Sequence, residues 1–211
     1  TDVPSIALSP TPFHPITATE TPAPSATIPP TDLPIISPEK RMRPEYTLIA
    51  ELDYAAHILK VNEIILYTNQ TDVALDTLLL VVEANRWPNC FQLESLAVNR
   101  FLTTPRLHGA QMEVPLGAKL MPNESITIEI AYTLYLPPKR QDQVFGYFGD
   151  YQSNIVEWYP FVAPYSQEEG WIAHDPSGVG EHLVYESADF DVAFKVLSDE
   201  RPDLSSGIYS Y

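Results

Sequence analysis

The stretch "SITIEIAYTLYL", residues 125–136, puts Ile126, Ile128, Ile130, Tyr132, Leu134 and Leu136 on one face and Thr127, Glu129 and Thr133 on the other. Strict alternation predicts a half-buried β-strand, since a helix would repeat its apolar residues every three or four positions. Outward from it the same period returns. "YTLIAELDY" (46–54) aligns Tyr46, Leu48, Ala50, Leu52 and Tyr54, and "DFDVAFKV" (189–196) aligns Phe190, Val192, Phe194 and Val196. "HILKVNEIILYTN" (57–69), "DTLLLVVEAN" (76–85) and "CFQLESLAVN" (90–99) read as further strands, the second buried on both faces. Turn residues separate them in "TNQTD" (68–72), "NRWPN" (85–89) and "LMPNES" (120–125), and Pro137-Pro138 closes the long strand. No segment carries ten residues of helical period. The sum predicts an all-β fold, an antiparallel β-sandwich of about eight to ten strands.

The chain has 211 residues, enough for one large domain, with three Trp, twelve Tyr and eight Phe to fill a core. Twelve basic residues against 28 acids give a formal charge of −16. Phosphate binding needs clustered Lys and Arg, so nucleic acid is excluded as a partner, and an anionic membrane surface is disfavoured for the same reason. The longest apolar run, "LLLVV" (78–82), is far below the roughly 18 residues of a membrane helix, so no transmembrane segment is expected.

Residues 1–44 hold 11 of the 21 prolines and no glycine. Proline fixes φ and lacks a donor, so this Pro/Thr/Ser tract is expected to be an extended stalk or linker. Tracts of this kind hold exported domains away from an anchor, and the expected location is extracellular or at a cell surface. The expected division is a stalk over 1–44, a sandwich over 45–198, and a tail or the start of another domain over 199–211.

Few residues suggest chemistry. Cys90 stands alone, ruling out an intrachain disulfide and a thiolate zinc cluster. His174-Asp175 and Glu181-His182 pair imidazoles with carboxylates, yet "HDPSGVGEH" (174–182) has no ligand spacing such as H-E-x-x-H on a helix. A G-x-S-x-G elbow and a phosphate-cradling glycine loop are both missing. Twenty-eight acids always offer a glycosidase-like carboxylate pair, but surplus surface acids explain them better. The chain is expected to contain no catalytic residues.

"NIVEWYPFVAPYSQEEGWIAHDPSGVGEH" (154–182) fits neither period. It gathers Trp158, Tyr159, Phe161, Tyr165 and Trp171 around Pro160 and Pro164. Aromatics at that density remove large apolar areas from water, and their target is this domain's own core, a second domain or a ligand.

In order along the chain, "YTLIAELDYAAHILKVNEIILYTNQTDVALDTLLLVVEAN" (46–85), "VPLGAKLMPNESITIEIAYTLYLP" (114–137) and "VEWYPFVAPYSQEEGWIAHDPSGVGEHLVYESADFDVAFKV" (156–196) resemble one family. It is the N-terminal domain of the aminopeptidase-N-like zinc metallopeptidases (gluzincins), in particular their bacterial membrane-associated branch. The resemblance implies a saddle-shaped sandwich packed on a separate thermolysin-like catalytic domain. That domain would own the zinc, through an H-E-x-x-H motif absent here, and would follow Tyr211. No cofactor is expected in this chain. The resemblance further implies that 154–182 meets the catalytic domain and helps wall a peptide-binding cleft. Gln152 lies near the family's Gln that holds the substrate's free amine. The alternative is a free-standing cell-surface module that binds carbohydrate or peptide on its aromatics.

Overall fold

The alternation of 125–136 is realised as burial: all six residues of its apolar face are covered, while Thr127, Glu129 and Ala131 are only partly so. The computed structural model describes residues 42–139, 144–149, 152–177, 181–197 and 209–210. The stalk expected over 1–44 and the tail expected over 199–211 lie almost wholly outside those residues.

The chain runs through β1 (Glu45–Asp53), β2 (Ile58–Thr68) and β3 (Leu75–Val81), then β4 (Phe91–Val98), β5 (Phe101–Leu102) and β6 (Arg106–His108). Two long strands follow, β7 (Gln111–Leu120) and β8 (Ser125–Tyr135). Next come the short β9 (Gly146–Phe148), β10 (Gln152–Asn154), β11 (Phe161–Val162), β12 (Tyr165–Ser166) and β13 (Gly170–Trp171). The series ends with β14 (Asp189–Leu197) and β15 (Tyr209–Ser210).

One sheet has the order β15-β14-β1-β2-β8-β4-β5 and a second has β11-β3-β7-β6. Leu48, Leu59, Ile65 and Ile128 of the first share a core with Leu78, Leu80, Met112 and Val114 of the second. Each such side chain stabilises the fold by about 1.5–3 kcal/mol on burial. The double burial expected of β3 is present, since Leu78, Leu79, Leu80 and Val81 are all covered.

The expected sandwich holds, with two refinements. β14 runs parallel to β1, from Glu45 opposite Asp189 to Asp53 opposite Leu197. A parallel neighbour needs a long crossover rather than a hairpin. Here β14 is entered from the end where β1 begins, the Asp189 N–H donating to the Pro44 carbonyl at 2.9 Å. The strand read over 76–85 also stops early, at Val81, and a 3-10 turn over Glu83–Arg86 takes its place. Its cause is the Glu83 side chain, which accepts from Arg86 Nε at 2.9 Å and closes the turn locally.

The turn after β2 is built on a buried asparagine. Asn69 Nδ2 donates to the carbonyls of Val73 at 2.8 Å and Leu120 at 2.9 Å, and its Oδ1 accepts from Thr71 N at 3.0 Å and Thr71 Oγ1 at 2.7 Å. With its backbone also bonded to Glu124 and Asn123, every polar group of this residue is satisfied.

Candidate functional site

The segment from Asn154 to Ala188 connects the two sheets, and side chains rather than a ladder fix its course. Glu157 turns the backbone at φ 50°, laying Trp158 and Tyr159 against the β1/β14 edge of the large sheet. Tyr159 meets the edge of Tyr46 at 5.8 Å and of Phe190 at 5.5 Å, and Trp158 meets Phe194 at 6.1 Å. Tyr46 stacks on Phe190 at 5.0 Å. Edge and offset contacts of this kind add about 0.5–1.5 kcal/mol per pair to the burial itself. The chain then joins the small sheet as β11, where the Val162 N–H donates to the Tyr46 hydroxyl at 3.0 Å and the Ala163 N–H to the Leu79 carbonyl at 2.9 Å.

Beyond β11 the segment forms the β12/β13 hairpin, with Tyr165 and Trp171 edge to face at 5.2 Å. Gln111 Nε2 then holds the Ala173 carbonyl at 3.1 Å, and Arg86 reaches Asp175 Oδ1 at 3.0 Å and the His174 carbonyl at 3.3 Å. His182 Nε2 lies 3.2 Å from the buried Glu83 Oε2. These polar clasps tie Ala173, His174, Asp175 and His182 to Gln111, Glu83 and Arg86.

Of the aromatics singled out by sequence, Trp158, Tyr159 and Phe161 thus join one cluster with Tyr46, Tyr185, Phe190 and Phe194, Phe161 lying 4.5 Å from Tyr185. Tyr165 and Trp171 form a separate pair. Gln152 is exposed in β10 and donates to Asn154 Oδ1 at 2.7 Å. His174 contributes its backbone and His182 its ring to the clasp. Among the described residues no three of His, Cys, Asp and Glu gather at metal-ligating range. Burial pushes the Cys90 thiol up to about 12, leaving it a protonated core side chain.

Beneath the cluster lies a residue that the periodicity reading passed over. Glu63 occupies a core-facing position of β2 between Val61 and Ile65 and is 1 % exposed. Neither carboxylate oxygen has a well-formed hydrogen bond. The nearby Tyr132 hydroxyl is aimed at the Trp158 carbonyl, a long contact of 3.5 Å. Burial holds the Glu63 carboxyl well above the usual carboxylate range. Burial first, and then the Glu63 charge, raises the phenols of Tyr132 and Tyr159. The signal was present in the sequence as one acid in the apolar register of "HILKVNEIILYTN".

The upper surface of the cluster is not covered. Val156, Val184, Tyr185 and Phe190 are 41, 41, 47 and 44 % exposed and make an apolar rim along the segment and the start of β14. Elsewhere, a polar cleft of about 380 Å³ between the end of β7 and the start of β8 is lined by Asn99, Lys119, Glu124 and Ser125 with apolar neighbours. It contains no pairing of a nucleophile with a base.

Similar solved structures are M1 zinc metallopeptidases. A mutant of the Deinococcus radiodurans enzyme bound to a Tyr-Ser-Ala substrate shows a TM-score of 0.47 and 13 % identity, over 73 % of this chain and 32 % of that one. The enzyme from Deinococcus radiodurans shows 0.43 and 14 %, over 72 % of this chain and 31 % of that one. A two-domain M1 mutant bound to L-tryptophan shows 0.43 and 13 %, over 74 % and 33 %. The chain therefore spans about a third of the length of these structures. At such scores the likeness is loose, and weight falls on the geometry above. No protein-family model and no curated protein matches the sequence.

Proposed function

We propose that this chain is a non-catalytic N-terminal domain of an exported zinc aminopeptidase-like protein. Its aromatic segment packs on a catalytic domain and helps shape the peptide-binding cleft. The observation that carries the reading is the rim of Val156, Val184, Tyr185 and Phe190, an apolar strip left open directly above an ordered aromatic cluster. Large apolar side chains left exposed at an ordered cluster are what an interaction site presents. The motif order from Tyr46 to Val196 supplies the family. The reading assigns the zinc to the catalytic domain, through the H-E-x-x-H motif that the resemblance implies there. The Pro-rich tract is assigned the role of a stalk that holds the domain at the cell surface.

The test compares this chain with a polypeptide extended by its downstream coding sequence. Both are assayed for bound zinc and for release of N-terminal residues from aminoacyl anilides. The reading expects the chain alone to be inert and the extended form to carry zinc and activity. Activity from the chain alone, or an extension without zinc chemistry, overturns it. Saturable binding of a glycan at the Tyr185/Phe190 rim would favour the cell-surface module instead.

A further inference from the structure

The core of the large sheet is apolar at every inward position of β1 and β8 in the described structure except for aromatic hydroxyls, yet β2 places a carboxylic acid there. A buried charge is tolerated when a cation or several donors neutralise it. Glu63 has no such company. The titratable groups facing it are phenols from three elements: Tyr46 of β1, Tyr132 of β8 and Tyr159 of the aromatic segment. The charged groups acting on those phenols are themselves acids, Glu157 on Tyr159 and Glu186 on Tyr46. An ionised Glu63 would have the Tyr132 hydroxyl beside it, which is too little to offset burial among apolar walls and neighbouring acids.

The phenols also hold the segment down. Tyr46 accepts the Val162 N–H, Tyr132 points at the Trp158 carbonyl, and Tyr159 packs edge-on against both rings of the Tyr46–Phe190 stack. Through these phenols the stretch Trp158–Val162 is tied to the surroundings of the carboxyl. Lifting it breaks the two-residue β11 pairing with β3 and frees those phenols, a local movement that gives the carboxyl water while the long strands stay paired.

We propose that Glu63 with Tyr46, Tyr132 and Tyr159 forms a proton-controlled latch: the neutral carboxyl lets Trp158–Val162 close on the sheet, and its ionisation lifts that stretch. The apolar rim above is thereby presented in its closed shape only while the proton is in place. The elevated affinity of the buried carboxyl for its proton agrees with this. The sign follows from linkage. The closed form keeps the proton and the open form, with an ordinary carboxyl near 4.5, loses it, so opening is favoured as pH rises above that value. With one proton released, the open population grows about tenfold per pH unit until the closed form also ionises.

The experiment measures amide exchange in the full chain between pH 5 and 9, for the wild type and for Glu63→Gln, with Val162 as reporter and Ile128 as core control. Taking the ratio of wild type to variant at each pH removes the intrinsic base catalysis of exchange. The expected result is a Val162 ratio that climbs by up to tenfold per pH unit above the acid range, with Val162 opening at a lower free energy than Ile128 at every pH. A flat Val162 ratio overturns the latch. So does a Val162 amide that, after division by intrinsic rates, exchanges no faster than Ile128, which would mean that the segment opens only with the whole domain. Glu63→Leu, which also cannot ionise, serves in the same comparison if the glutamine variant does not fold.

Discussion

The β2/β8 pair and the segment 154–188 are held by opposite means. Eleven residues of β2 pair with eleven of β8, from Ile58 opposite Tyr135 to Thr68 opposite Ser125, and the covered face is aliphatic apart from Glu63, Tyr67 and Tyr132. The segment contributes three two-residue strands and relies on a tyrosine hydroxyl, a guanidinium and edge-on rings. Ladder and apolar burial are cooperative, and Glu63 is the group through which charge reaches the covered face of this pair. A side-chain clasp depends on a few polar groups, and each of them can be lost singly. The more easily opened region is therefore also the one that carries the exposed rim, as expected of a surface that must adapt to a partner.

That contrast can be broken from the ladder side first. Leu134→Ala removes a fully buried side chain of β8 and is expected to cost about 2–5 kcal/mol in urea unfolding, lowering every region together. Arg86→Met strips the buried Glu83 of its guanidinium and releases Asp175 and the His174 carbonyl. Its expected cost is about 1–3 kcal/mol, from leaving a polar group unsatisfied, with proteolytic sensitivity appearing in 171–182 before the sheets. Tyr46→Phe deletes the acceptor of the Val162 N–H and is expected to cost about 1–2 kcal/mol, with faster exchange confined to 158–163.

Glu63→Gln sharpens the comparison in the other direction. The folded carboxyl binds its proton more tightly than the unfolded one, so wild-type stability is fully present below about pH 4.5 and falls as pH rises. The variant lacks that slope, which is at most about 1.4 kcal/mol per pH unit, so its advantage should grow from pH 5 to 9 in parallel thermal melts. Phe190→Ser should do least to the isolated chain, within about 1 kcal/mol, because its ring is only partly covered.

What the sequence made legible follows the same division. Period-two alternation located β1, β2 and β8 because one covered face imposes it, β4 and β14 were located too although no residue of β14 is fully covered, and the run 78–82 announced the doubly covered β3. The parallel entry of β14 was hidden, since its alternation is the same whichever way its neighbour runs. In the segment, composition alone marked the aromatics, and nothing local told which ring would meet Tyr46 and which would pair off as Tyr165 does with Trp171. Asn69 looked like an ordinary turn residue although it is completely buried, and Arg86 like a loop cation although it joins residues nearly ninety positions apart. Glu63 was visible as a break in the apolar register of β2, but its meaning depends on phenols from three distant parts of the chain.

The central claim is that the Val156, Val184, Tyr185 and Phe190 rim seats a catalytic domain. Its most direct measurement is amide exchange at 156–158 and 184–190 in this chain alone and in the downstream-extended polypeptide. The account predicts strong protection of both stretches on extension, with the β2/β8 ladder unchanged. Rim amides that exchange at the same rate in both forms would contradict it.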